Sequence, residues 1–165
     1  MDDISRQLMA DLIGACDLTG CLVLDVGSYD VNGTLRPLVE GLGGQYVGCD
    51  VREGPNVDVV VSETVTWHQW LVPVFDVVVC ANALHNMRWP WRVVGQMARV
   101  LVPGGLFCLV GAGLDVVYPS NYPADYYRFT PNGLRALVES AGVLRVQHVE
   151  ERSPHVGVVA WKVGR

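Results

Sequence analysis

Short apolar runs, each closed by an acid, a glycine or a proline, alternate along this chain with segments of helical periodicity. Ile4, Leu8, Leu12 and Ile13 recur at helical spacing and predict an amphipathic helix over residues 3–15. A strand is predicted over 21–26, then a turn at Gly27, then a helix over about 34–42 that Gly43-Gly44 closes. Further apolar runs at 45–50, 57–61 and 75–80 read as strands, with a short helix between the last two over 63–72. Val94, Met97, Ala98 and Leu101 share one face of a helix over 91–101, and Pro103-Gly104-Gly105 launches a fifth strand over 106–110.

The runs are nearly continuous in apolar character, as in parallel strands covered on both faces. Their alternation with helices predicts an α/β fold, a Rossmann-like doubly wound sheet. The last third departs from that rhythm. Thr130-Pro131 reads as N-cap and N1 of a helix with Leu134, Leu137, Val138 and Ala141 inward and Gly142 at its end. Strands over 143–149 and 156–163 then follow with a connection too short for a parallel crossover, so they form an antiparallel hairpin. Seven strands in the order 3-2-1-4-5-7-6, strand 7 antiparallel, are expected in a single domain. Within it, 1–20 is an N-terminal helical segment, 21–111 a ligand-binding core, 112–130 a long loop, and 131–165 a helix plus hairpin.

Half of the 165 residues are hydrophobic and 18% are charged, which excludes a disordered or fibrous chain. No apolar stretch approaches the roughly 20 residues that span a bilayer. The N-terminus lacks the features of a secretory signal, so a cytoplasmic location is expected. A net charge of −5 argues against nucleic acid as partner, since that binding rests on Lys and Arg neutralising phosphates. Cys16, Cys21, Cys49, Cys80 and Cys108 form no C-x-x-C pair and read as small buried hydrophobes, with no metal site expected.

Chemistry concentrates at strand ends. Val23-Leu24-Asp25-Val26-Gly27-Ser28 places a carboxylate inside a strand end, ahead of a glycine turn that a nucleoside-bearing ligand can approach closely. A dinucleotide fingerprint would read G-x-G-x-x-G with its acid on the next strand. An acid in the earlier place can receive the cationic end of a ligand such as S-adenosylmethionine, or can cap the loop's own N–H groups. Asp50, ending the second strand, can accept both hydroxyls of a ribose. After the fourth strand stand His85 and Asn86, and the loop after the fifth carries Tyr118, Tyr122, Asp125, Tyr126, Tyr127, Arg128 and Phe129. Long loops of this kind are usually lids or binding loops, although their aromatics can equally cover the face of a small domain. His148 and His155 are placed to face one another across the final hairpin, and Trp67, Trp70, Trp89 and Trp91 flank the ligand edge as packing residues or, if exposed, as a homodimer surface.

Phe75-Asp76-Val77-Val78 and Ala98-Arg99-Val100-Leu101-Val102-Pro103-Gly104-Gly105, together with the two strand-end acids, resemble the F-D-x-V and R-x-L-x-P-G-G signatures of class I S-adenosylmethionine-dependent methyltransferases of the methyltransferase type 11 group. Asp125-Tyr126-Tyr127-Arg128-Phe129-Thr130-Pro131 is similar to a segment of one subgroup. The resemblance covers about residues 20–165. It implies that Asp25, Gly27 and Ser28 hold the methionine end of S-adenosylmethionine, that Asp50 takes the ribose, that Glu63 or backbone groups stand in on the adenine side, and that Val51 and Ala81 complete the cofactor contacts. By position, His85 is the candidate catalytic base or acceptor-orienting group, and Asn86, Tyr126, Tyr127 and Arg128 the candidate acceptor contacts. The chain departs from the family in having Tyr29 and Val31 for the second and third loop glycines, Ser62-Glu63 for the acid after strand three, and no helix between strands two and three.

The function expected is methyl transfer to a small-molecule or glycan-like acceptor. A non-catalytic S-adenosylmethionine-binding regulatory module is the alternative. A nucleic-acid methyltransferase ranks behind both, because Asn82-Ala83-Leu84-His85 stands where a [DNS]-P-P-[YFW] element would be needed.

Overall fold

The computed structural model describes residues 2–14, 16–70, 72–117 and 124–164. Along the chain run α1 (Asp3–Ile13), β1 (Leu22–Val26), α2 (Arg36–Gly41), β2 (Gln45–Asp50), β3 (Val59–Val60), β4 (Phe75–Ala81), a 3₁₀ turn (Leu84–Asn86), α3 (Pro90–Val100), β5 (Leu101–Ala112), α4 (Pro131–Glu139), β6 (Leu144–Arg152) and β7 (His155–Lys162). The strands form a seven-stranded sheet in the order β3-β2-β1-β4-β5-β7-β6. β1 pairs in parallel with β2 and β4, and β4 with β5, whereas β7 runs antiparallel to both β5 and β6. This is the predicted α/β sheet, in the predicted order.

Strand alternation divides the core into two layers. Leu24, Val26, Val78, Cys80, Phe107 and Leu109 point to the face covered by α3 and α4, where they meet Val94, Met97, Leu134 and Val138. Val23, Val77, Val79, Cys108 and Val110 point the other way, onto Leu8, Met9, Leu12 and Ile13 of α1 and Val39 of α2. α1 starts where Asp2 Oδ1 accepts the Ser5 N–H at 2.9 Å, and α4 where Thr130 Oγ1 accepts the Gly133 N–H at 3.0 Å with Pro131 in the first turn.

Four elements differ from expectation. No helix forms among the described residues of 63–72. There the Arg99 guanidinium takes the Trp70 and Trp67 carbonyls at 2.6 and 3.1 Å, and buried Trp67 donates through Nε1 to the Ser62 carbonyl, so side chains replace helical hydrogen bonds. β3 shrinks to two residues because Asp58, predicted within it, turns its carboxylate to the Gly48 N–H and to Arg36. β5 begins directly at Leu101, with a register shift against β4 where Gly104 adopts φ +78°. In the hairpin His148 lies opposite Val159 and His155 opposite Arg152, so the two histidines do not face one another.

Candidate functional site

At the carboxyl ends of β1 and β4 the connections leave the sheet in opposite directions, and a crevice opens there. It holds a cavity of about 570 Å³, within the range of small-molecule sites. Asp25, Gly27, Ser28, Asp50, Val51, Glu63 and Ala81, the seven residues expected to touch cofactor, all line it.

The turn after β1 is built by close approach. Gly27 and Ser28 both donate to the Cys49 carbonyl, at 2.8 and 3.0 Å. Gly27 has φ +82°, and a Cβ on it would stand 2.2 Å from the Ala83 Cβ, so only glycine fits between β1 and the segment after β4. Two glycines of the family loop are Tyr29 and Val31 here, and the neighbouring 55–56 segment braces the loop. Asn56 Nδ2 donates to the Ser28 carbonyl at 2.9 Å while Ser28 Oγ donates to the Asn56 carbonyl at 3.0 Å. Asp30 N–H adds a bond to the Pro55 carbonyl at 3.0 Å, and Asp30 Oδ1 accepts the Gly33 N–H at 2.7 Å. Tyr29 turns its ring under the Arg52 guanidinium, 4.0 Å from the ring centre.

Asp50 is fixed by backbone donors. Its Oδ1 accepts the Val51 N–H at 2.8 Å and its Oδ2 the Tyr29 N–H at 3.2 Å, which leaves further lone pairs of an acceptor-only group at the cavity. Asp25 is different. It is 4% exposed, and burial pushes its carboxyl up to about 7, with the Tyr46 hydroxyl (2.6 Å from Oδ2) pulling the other way. In register Asp25 lies opposite Gly48, where a Cβ would stand 2.2 Å from the Asn56 carbonyl and 2.7 Å from Ser28 Oγ, so the missing side chain makes room for the 56 segment to pack against the turn.

Of the acceptor-side candidates, Asn86 lines the cavity, as do Met87 and Ala124. His85 does not. It has no exposed surface, and burial pushes its imidazole down to about 4, so it is neutral near pH 7. Its carbonyl accepts the Tyr126 and Tyr127 N–H groups at 2.8 and 3.2 Å. Tyr126, Tyr127 and Arg128 also lie off the cavity wall. Arg128 forms a two-pronged pair with Asp125 and donates through Nε to the Val116 carbonyl at 2.8 Å. Tyr127 Oη donates to the Arg88 carbonyl (3.0 Å), while Glu63 accepts the Arg88 N–H (3.0 Å), so that residue's backbone is held from both sides. Tyr118 and Tyr122 lie outside the described residues.

The lining combines two carboxylates, Asp25 and Asp50, with the Gly27 cradle and apolar Val61, Trp67, Met87 and Val93, a donor set with the chemistry to take a nucleoside carrying a cationic arm. Residues 24–109, just over half of the chain, match the model of the Methyltransferase domain family, Methyltransf_11. The chain belongs to this methyltransferase family. Its cofactor is S-adenosylmethionine. The chain is similar to 27-O-demethylrifamycin SV methyltransferase of Amycolatopsis mediterranei (strain S699), at 38% identity over 82 residues, which is 50% of this chain. The match spans only 27% of that relative's length. Among solved structures, a SAM-dependent methyltransferase from Aquifex aeolicus shares the fold with a TM-score of 0.70 at 23% identity, covering 98% of this chain and 95% of that one. The 1,6-didemethyltoxoflavin-N1-methyltransferase of Burkholderia thailandensis shares it with a TM-score of 0.78 at 17% identity, covering 98% and 79%.

Sequence reasoning missed Tyr46 and Asn56, which serve this methyltransferase domain from behind its glycine turn. Strand parity held the signal for the first: Tyr46 and Gly48 fall on the face of Asp25 once β1 and β2 are paired. It also missed Asp2 and Asn82 on the cavity wall, where the α1 cap meets the end of β4.

Proposed function

We propose that this domain transfers a methyl group from S-adenosylmethionine to a small-molecule acceptor, glycan-like acceptors included. The observation that carries the reading is the pair of strand-end carboxylates, Asp25 and Asp50, on one 570 Å³ cavity beside the Gly27 cradle. The relative from Amycolatopsis and the neighbour from Burkholderia are both named for methylating small molecules, which supports the choice of acceptor class.

When bound, the cofactor supplies an electrophilic methyl group on a sulfonium, and its displacement needs alignment and exclusion of water more than strong acid–base chemistry. In this reading Asp50 and the adjoining Val51 hold the ribose. Asp25, with the N–H-bonded turn at Gly27 and Ser28, faces the methionine end. Glu63 flanks the adenine side, and Ala81 contributes backbone at the end of β4. Trp67, Met87 and Val93 keep the cavity dry. Asn86 presents its amide on the acceptor side. His85 and Arg128 act as positioning residues, holding the 125–128 segment next to Ala124 of the cavity wall through the His85 carbonyl and the Asp125 and Val116 contacts. Tyr126 and Tyr127 belong to that same segment.

The test is transfer of radiolabelled methyl from S-adenosylmethionine to a panel of phenolic, hydroxylated, sugar and amine acceptors. Label appearing on an acceptor, and disappearing in an Asp50→Ala variant, supports the proposal. Tight cofactor binding with no transfer to any acceptor class favours the regulatory module instead.

A further inference from the structure

The cation-receiving acid of this cavity is wired to a chain of side chains with a fixed hydrogen-bond direction. Arg36 can only donate, and its Nε gives a hydrogen to Asn56 Oδ1 at 2.8 Å, which fixes the orientation of that amide. Asn56 Nδ2 therefore points to the Tyr46 oxygen at 2.7 Å, and the tyrosine hydrogen is left for Asp25 Oδ2 at 2.6 Å. Further cationic help for Asp25 is limited, because Arg36 is committed to Asp58 at 2.7 Å and to Glu40 at 3.6 Å. The groups facing Asp25 from the packed elements are Tyr46, Cys49 and Asp50 of β2, Cys80 of β4 and Arg36 of α2. Burial raises both thiols far from their ionised forms, so Asp50 remains as a neighbouring negative charge.

We propose that this arrangement makes cofactor binding proton-coupled: Asp25 keeps its proton in a substantial part of the free domain and releases it to solvent when the cationic end of S-adenosylmethionine arrives, with Tyr46 the positioning residue that sets the pH at which this happens. The inference rests on the proposed function in assuming that the cofactor's methionine end lies at Asp25. A 4%-exposed carboxyl with one side-chain donor and a like charge nearby is costly to ionise until a cation pairs with it. Its titration near 7 puts the exchange in an observable range.

The experiment is isothermal titration of S-adenosylmethionine into the whole chain, in buffers of equal pH and different ionisation enthalpy, repeated across pH. Near pH 7 on the order of half a proton should be released per cofactor bound, falling towards zero well above that pH. Asp25→Asn should lose this release while keeping any titration of the cofactor's own amine, so the difference isolates Asp25. Methylthioadenosine, which lacks the cationic arm, should release none. Tyr46→Phe removes a donor to the carboxylate and should shift the proton-release profile to higher pH; a merely structural role for Tyr46 would weaken binding without moving the profile. Saturable binding with no proton exchange at any pH, or an unmoved profile in Tyr46→Phe, overturns this inference and leaves the proposed function standing. Absence of saturable binding overturns both. Should Tyr46→Phe fail to fold, the wild-type proton count and its loss in Asp25→Asn still decide.

Discussion

Asn56→Ala is the perturbation that most directly probes what braces the turn after β1, where Tyr29 and Val31 stand in place of two family glycines. The amide of Asn56 makes three bonds, to the Ser28 carbonyl (2.9 Å), to the Tyr46 oxygen (2.7 Å) and from Arg36 Nε (2.8 Å). Each half-buried bond is worth about 0.5–1.5 kcal/mol net, and the charged donor lies at the upper end. Asn56 also sits at φ +67°, where alanine costs roughly 1–2 kcal/mol more than glycine. Together these give a destabilisation of about 3–5 kcal/mol, read from urea unfolding. Asn56→Gly relieves the backbone but loses the same bonds, so it should recover at most about 1–2 kcal/mol of that loss. The reasoning predicts a parallel loss of S-adenosylmethionine affinity in both variants, because the Ser28 turn loosens in each. An Asn56→Ala domain as stable as the parent, or a glycine variant restored to full stability, would refute it.

Other expectations concern the same elements. Gly27→Ala should severely destabilise the fold, since the new methyl meets Ala83 at 2.2 Å, and adding Ala83→Gly should recover only the clash and not the cost of φ +82°, as melting temperatures will show. Stability against pH should carry two opposing slopes. Asp25, raised from 3.8 to about 7, binds more protons folded than unfolded, so its contribution falls as pH rises through that window. His85, lowered from 6.5 to about 4, binds fewer, so its contribution grows as pH rises from about 4 to 6.5. Asp25→Asn should abolish the first slope and His85→Ala the second in denaturant titrations of the cofactor-free chain. His85→Ala should also cost about 1–3 kcal/mol of stability and speed hydrogen exchange at Tyr126 and Tyr127 while leaving cofactor affinity unchanged; loss of turnover with unchanged stability and exchange would instead make His85 a catalytic group.

Much of the fold was legible because strand parity and helical spacing are local signals. Val23 against Leu24 and Val77 against Val78 separate into opposite layers as their alternation dictates. The order of the strands followed from the helical crossovers and the short hairpin connection. The absent helix at 63–72 was not legible, because the Arg99 guanidinium that captures its carbonyls arrives from α3, about thirty residues on in sequence. The strand-end acids announced the cavity, since a carboxylate closing an apolar run is a local pattern. Which residues after β4 face inward was not announced: Asn86 reaches the cavity and His85 turns into the protein because the 3₁₀ turn at Leu84–Asn86 sets their directions. The support from Asn56 and Tyr46 was hidden for a related reason, depending on the register of two strands and on the space left by Gly48.

The most direct test of the central claim is the equilibrium affinity of S-adenosylmethionine for the wild-type chain and for Asp50→Ala, measured by calorimetry with circular dichroism confirming the fold of each. The proposed function gives the ribose to Asp50, so saturable one-to-one binding is predicted for the wild type and an affinity weaker by at least about 1–3 kcal/mol for the folded variant. Equal affinity in a folded Asp50→Ala chain would contradict it.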